Sequence, residues 1–344
     1  MRLFPMSFMT DLGQLVGDLG EQGLLRIVQR FCSNPLIGDD GAILSVSPGH
    51  SLVVTTDSFV DGVHFCDRTL SPFDVGWRVT AANLSDLAAM GAKPLGITVS
   101  LTLPSVLPSA WVKELYEGIN ACLTQYDTPL IGGDLSRGSL VTVTITALGE
   151  TLPHRVIRRD SAQVGDAIVV TGYHGGSKAG LELLLAPQWG EQLTPRQRQH
   201  LIECHQHPRP RLDVLPQLWK LDESLHLAGM DSSDGLGDAI AQICRASQVG
   251  AVIDLSRIPI PEGFAHWLDT ETLWNWVFYG GEDFELVLCL TPTLAQSLVK
   301  NLGSPAAIIG RITVSPHILL QNAQGETLPQ TLSLDRGFQH YALD

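Results

Sequence analysis

At six places in this chain a carboxylate ends an apolar run or stands beside glycine. They are Asp39-Asp40 in IGDDGA, Asp57 in VVTTDS, Asp86 in NLSDLAAMGA, Asp134 in LIGGDL, the pair Asp231 and Asp234 in MDSSDGL, and Glu282-Asp283 in YGGEDFE. Glycine lets a backbone approach a ligand closely, and strand ends are where α/β proteins bind ligands. Any one junction alone reads as a turn or cap, and Asp234 has the position of a helix N-cap; it is the set that points further. Six such junctions that converged would be a costly set of like charges without cations. The flanking hydroxyls Thr55, Thr56, Ser232 and Ser233 add further oxygen donors. Hard oxygen donors of this kind suit Mg²⁺, which prefers carboxylates together with phosphate oxygens.

The segments between these junctions alternate in type. The pattern predicts helices over 23–33, 73–91, 109–126 and 236–247, with two or three more across 176–228. Strands are expected at SLVVTTDSF, LGITVSLTLP, PLIGGD, LVTVTITALGE, GDAIVVTG, AVIDLS, the end of YGGEDFELVLCL and AAIIGRIT. Two successive β/α series point to an α/β (α+β) fold of two domains, 1–150 and 151–344, joined by a connector over 150–160. WNWVFY at 274–279 reads as core.

Asp86 poses a specific problem. Helical spacing puts Val75, Val79, Ala82, Ala89 and Met90 on one apolar stripe with Asp86 inside it. A bare carboxylate on a buried face needs a counter-charge, and a bound metal ion would supply one.

Net charge and cysteine usage exclude several classes. A formal charge of −14 disfavours nonspecific binding to nucleic acid or anionic membranes. Six scattered cysteines without a C-x-x-C pair fit neither a disulfide framework nor a thiolate zinc site. His200, Cys204, His205 and His207 lack a convergent second ligand pair. No apolar run reaches the roughly 18 residues of a membrane helix, and MRLFPMSFMTD is too short and broken for a secretory signal, so the cytoplasm is expected. The G-x-x-x-x-G-K-[ST] loop is missing, and GYHGGSKAG has the wrong spacing for it. His64 in DGVHF follows the TTD motif closely enough to share its cleft.

Taken in order, GDDGA, TTDSFVDGVHF, NLSDLAAMGAKP, LIGGDLSRG, VGDAIVVTG, DSSDGL, GGEDFEL and the tail RGFQHY resemble the thiamine-monophosphate kinases. These belong to the aminoimidazole ribonucleotide synthetase-like superfamily, and the resemblance runs from about 20 to 341. It implies a two-domain fold of that type whose N-terminal domains pair by β-sheet in a homodimer. It also implies ATP as co-substrate, several Mg²⁺ ions, and conversion of thiamine monophosphate to thiamine diphosphate, the last step of that biosynthesis. By matching motifs, Asp40, Thr55, Thr56, Asp57, Asp86, Asp134, Asp231 and Asp234 would be metal ligands. Gly133, Asp134, Ser233 and an arginine of RVIRRD, Arg159 over Arg158, would touch the nucleotide. His64, Glu282 and Phe338 would contact the thiamine phosphate. The family usually has a hydroxyl residue after GGD, where this chain has Leu135. No general base is implied, because a phosphate monoester is already largely deprotonated at pH 7.

Overall fold

The computed structural model describes residues 14–32, 40–222, 227–329 and 332. They form two compact units. The first takes the described residues up to Ser45 with Val54–Asn83 and Pro94–Leu148; the second takes Val46–Val53, Leu84–Lys93 and the described residues from Gly149 onward. Two segments of the amino-terminal half therefore go with the second unit.

The first series of elements is α1 (Val16–Val28), β1 (Ser51–Val60), α2 (Pro72–Ala89), β2 (Lys93–Leu103), α3 (Ser109–Gln125), β3 (Leu130–Arg137) and β4 (Thr142–Thr151). Helix α1 starts well before the expected residue 23, because Gly20, at φ +63°, interrupts its helical pattern and hides the first turn from a periodicity count. The sheet order is β1-β4-β2-β3. Strands β2 and β3 are parallel, with Ser100 opposite Asp134. Asp61 N–H donates to Val141 O at 3.0 Å and Thr56 Oγ1 to Ile145 O at 2.9 Å, pairings that run in opposite senses along β1 and β4. Two glycines let helices α2 and α3 cross closely: a Cβ on Gly76 would strike the Leu115 carbonyl, and one on Gly118 the Phe73 carbonyl.

Helix α2 corrects the stripe expected from its sequence. From Asp74 to Ala89 it is buried all round, with Trp77 and Asp86 alone half-buried, while Met90 is exposed beyond its end. A helix buried on every side, polar Arg78, Thr80, Asn83 and Ser85 included, belongs to a core, and a periodicity argument cannot assign it one face. Ser71 and Asp74 exchange capping bonds at its start, Ser71 N–H to Asp74 Oδ2 at 2.9 Å and Asp74 N–H to Ser71 Oγ at 3.2 Å. It ends at Gly91, φ +71°, where Ala92 N–H reaches Leu87 O and Gly91 N–H reaches Ala88 O in a Schellman motif.

The second series is β5 (Ala167–Val170), α4 (Gly176–Leu185), α5 (Pro195–Gln206), α6 (Val214–Leu221), β6 (Ala228–Asp231), α7 (Leu236–Ser247), β7 (Gly250–Asp254), α8 (Phe264–Trp267), α9 (Thr270–Tyr279), β8 (Leu286–Leu290), α10 (Pro292–Leu302), β9 (Ala307–Thr313) and β10 (Ile318–Gln321). Its sheet has the order β10-β7-β9-β5-β8-β6. Among the described strands of this sheet, β10 and β7 pair in parallel and the other pairs are antiparallel. AIVV and LVLCL are unbroken apolar runs because both faces of these strands are covered. Ile168, Val170, Val287 and Cys289 join a core with α4, α7 and α9. Val169, Leu286, Leu288 and Leu290 join another with α6, α10 and the last residues of α2. Trp276, Val277 and Phe278 of the WNWVFY run are buried in α9, as its composition suggested.

Strands β5 and β6 both pair antiparallel with β8, Val170 opposite Val287 and Asp231 opposite Leu286. The loops after β5 and β6 and the loop before β8 therefore meet at one edge of the sheet. They carry YHGG, DSSDG and GGEDFE.

Candidate functional site

At that edge the chain places Asp231 as the last residue of β6, 2% exposed. Ser85 of α2 donates its hydroxyl to Asp231 Oδ2 at 2.7 Å, and Ser233 donates to Oδ1 at 3.1 Å. Burial pushes the Asp231 carboxyl above its usual range, against the pull of the Ser85 and Ser233 hydroxyls and the charge of Arg159. The adjacent Asp86 is half-buried, so its carboxylate escapes the full desolvation that its sequence position suggested. Asp234 is not a helix cap: the N-cap of α7 is Gly235, at φ +105°, and a side chain there would run into Phe278 O.

The two arginines of RVIRRD separate cleanly. Arg158 is tied to Asp160 by two bonds of 2.9 and 2.8 Å at the surface. Arg159 donates to Gln242 Oε1 at 2.6 Å, and although burial raises both the Asp231 and the Asp238 carboxyl, the charge of Arg159 pulls against that rise at each. Arg159 is thus the one that faces the acids.

The sheet of the first series carries the other candidates. Along β1 the side chains alternate: Thr55 and Asp57 are half-buried, while Thr56 and Ser58 are exposed. The Thr56 hydroxyl donates to Ile145 O and accepts from Thr146 Oγ1 at 3.2 Å, and Ser58 pairs with Thr144 at 2.7 Å. Thr56 therefore lies on the opposite face from Thr55 and Asp57. Asp57 is held by its backbone, whose N–H donates to the buried Asn83 Oδ1 at 3.2 Å.

His64 stacks on Phe59 at 5.5 Å, and its Nδ1 accepts the Val60 N–H at 3.1 Å. That bond assigns the ring proton to Nε2, which is then a donor. Asp40, Gly133 and Asp134 line one cavity of about 550 Å³ with Gly41, Gly132 and Tyr116. Gly133 has no alternative there, because a Cβ would strike the Val99 carbonyl of the neighbouring strand. Asp134 is exposed and accepts from Ser136 Oγ at 3.0 Å.

Among the described residues no three His, Cys, Asp or Glu side chains gather into a ready metal cage. Cys204 lies 3.8 Å from His200 on α5, whereas His205 bonds Ser177 at 3.2 Å. Asp39 and Phe338 lie outside the described residues.

Two residues at the edge went unread in the sequence, and a third was read only as a member of its motif. Ser85 is a hydroxyl inside an Ala- and Leu-rich helix, and only its adjacency to Asp86 could have flagged it. His174 is buried, bonds Ser232 Oγ through Nε2 at 3.1 Å, and has its pKa held at about 3 by burial. Asp283, grouped by its motif with the junction acids, holds a structural contact here. It accepts the Gly175 and Ser177 N–H groups at 2.7 and 2.9 Å, at the start of α4.

With this geometry in place, comparison with known proteins is decisive. Residues 38–151 match AIR synthase related protein, N-terminal domain, and residues 163–321 match AIR synthase related protein, C-terminal domain. A thiamine-monophosphate kinase of Synechococcus elongatus is 51% identical over 329 residues, 95% of this chain and 98% of that protein. The chain belongs to the thiamine-monophosphate kinase family. The crystal structure of the Stenotrophomonas maltophilia thiamine-monophosphate kinase superposes with a TM-score of 0.76 at 32% identity, covering 89% of this chain and 97% of that one. A further solved chain, complexed with AMPPCP and TMP, has a TM-score of 0.70 at 28% identity and covers 97% and 100%. A mixed α/β fold of AIR synthase type, in two units, is thus common to this chain and the thiamine-monophosphate kinase family. No helix among the described residues is long and apolar enough to cross a membrane.

Proposed function

We propose that this chain transfers the γ-phosphoryl group of ATP directly to thiamine monophosphate, giving thiamine diphosphate and ADP. A phosphate oxygen of the acceptor attacks the γ-phosphorus in line, and the bond to the departing ADP oxygen breaks with its electron pair. The acceptor oxygen is already anionic near pH 7, since the second pKa of a phosphate monoester is about 6, so no side chain has to remove a proton. The work left to the protein is positioning and charge.

The observation that carries this reading is the cavity shared by Asp40, Gly133 and Asp134. Its volume suits a nucleoside, a glycine strand wall admits close approach, and two carboxylates stand at its rim. Arg159 and Ser233, near Asp231, are the further nucleotide contacts we assign. His64, through its Nε2 proton, and Glu282 are assigned to the thiamine phosphate, with Phe338 from the family motif.

The donor set fits Mg²⁺. It consists of carboxylates and hydroxyls, Asp40, Thr55, Asp57, Asp86, Asp134, Asp231 and Asp234, without a three-acid cage among the described residues. Mg²⁺ takes one or two carboxylates, keeps waters and shares phosphate oxygens, which such a dispersed set allows. When bound, Mg²⁺ supplies charge neutralisation between two polyanions and holds them in line. The same reading includes a homodimer formed through the first sheet, supported by the exposed Leu52 and Val54 on β1, and action in the cytoplasm.

Product analysis after incubation with ATP, Mg²⁺ and thiamine monophosphate tests the proposal. Thiamine diphosphate with equimolar ADP, abolished by EDTA, is expected. ADP without thiamine diphosphate would move the acceptor elsewhere in the superfamily.

A further inference from the structure

The stretch YHGGSKAG looks like a phosphate loop with the wrong spacing, and the structure shows what it binds. Its amides at Gly175 and Ser177, at the start of α4, hold the carboxylate of Asp283 at 2.7 and 2.9 Å. An anion at a helix N-terminus satisfies otherwise orphaned N–H groups and the helix dipole. Here the anion comes from the chain itself.

Asp283 sits in the middle of a strained loop. Its two neighbours, Glu282 and Phe284, are non-glycine residues at φ +59° and +52°. Such conformations are unfavourable for residues with a side chain and persist only where the surroundings enforce them. The enforcing contacts are on both sides. Glu282 N–H donates to Ser233 O at 2.6 Å, and Ser232 N–H donates to Glu285 O at 2.8 Å. Ser232 is held in turn by the buried His174, one residue before the Gly175 amide. Burial and the nearby Glu285 and Glu282 raise the Asp283 pKa to about 7 despite the two amide bonds, so the carboxylate is kept at some expense.

We infer that Asp283 is a positioning residue: by filling the YHGGSKAG amide cradle it fixes the 280–285 loop, and so sets Glu282 against Ser233 in the geometry that receives the thiamine phosphate. This rests on the reading of Glu282 as a substrate contact. It accounts for two motifs together, the cradle that lacks a nucleotide-loop spacing and the junction acid whose carboxylate fills that cradle.

The test compares Asp283→Ala and Asp283→Asn in the full-length chain, by steady-state kinetics and by hydrogen exchange at the Glu282 amide. The alanine variant should raise KM for thiamine monophosphate by about tenfold or more, several times the rise in KM for ATP, which reaches the loop only through Ser233. Asparagine retains an oxygen for one of the two amides, so its KM should fall between wild type and alanine. Exchange at Glu282 should quicken in the same order, while amides in β8 hold their wild-type rates. Equal rises in both KM values, or an unchanged KM for thiamine monophosphate, would overturn the inference. If the alanine variant fails to fold, unchanged exchange at Glu282 in the asparagine variant overturns it and faster exchange supports it. A wild-type protein inert toward thiamine monophosphate whose Glu282 amide still responds would support the anchor and remove the substrate reading.

Discussion

Ser85 donates its hydroxyl to Asp231 across 146 positions of sequence, and the 2.7 Å bond is buried. It ties the end of α2, where Asp86 stands, to the end of β6. Removing the hydroxyl leaves a buried carboxylate with one donor fewer. Ser85→Ala should therefore cost about 1–3 kcal/mol in urea unfolding. Asp231→Asn removes a charge that burial already disfavours, so it should leave stability unchanged or higher while cutting turnover at least about a hundredfold. A variant that kept full turnover would make Asp231 a structural residue.

The two arginines should differ in kinetics as they differ in contacts. Arg158 is occupied at the surface by Asp160, whereas Arg159 faces Asp231 and Asp238. Arg159→Met should raise KM for ATP about tenfold or more, and Arg158→Met should leave it within about twofold. Initial rates across a range of ATP concentrations decide between them.

Strand alternation gives a third expectation. Thr55 and Asp57 share a face of β1, and Thr56 spends its hydroxyl on Ile145 O. Asp57→Asn and Asp86→Asn should each lower turnover sharply, with Thr55→Val weakening the response to Mg²⁺. Thr56→Val, which keeps a β-branched side chain in a strand, should leave turnover within about twofold. Magnesium titrations of the initial rate would check all four, and a large loss in Thr56→Val would restore its side chain to the site.

Acid sensitivity follows from His174. Its pKa is about 3 in the folded chain, against an ordinary 6.5. Below 6.5 the unfolded chain binds a proton that the folded chain does not, so stability is lost as the pH falls. Between pH 6.5 and 5 this amounts to roughly 2 kcal/mol. His174→Gln should lack that component, so its unfolding free energy should fall less than that of wild type between pH 7 and 5. Parallel curves would show that His174 is not held neutral.

Much of the architecture was legible because local chemistry and tertiary context agree. The expected helices 109–126 and 236–247 are Ser109–Gln125 and Leu236–Ser247. The exact boundaries at Gly91 and Gly235 were not read, because the positive φ that each adopts is set in the folded chain. What could not be read depends on contacts distant in sequence. Nothing local distinguishes Asp283, which caps α4, from Asp231, which ends β6, since both follow apolar or glycine-rich segments. The all-round burial of α2 likewise depends on what surrounds it, so Asp86 looked more enclosed than it is. Gly20 concealed the first turn of α1 for the opposite reason, a local break inside a continuing helix.

The central claim is direct phosphoryl transfer to a phosphate acceptor, and one labelling experiment addresses it. Incubation with [γ-³²P]ATP and Mg²⁺ should place the label on the terminal phosphate of thiamine diphosphate when thiamine monophosphate is present, with none transferred to free thiamine and none retained on the protein. A labelled protein that passes its phosphate on to product, or label appearing on free thiamine, would contradict the account.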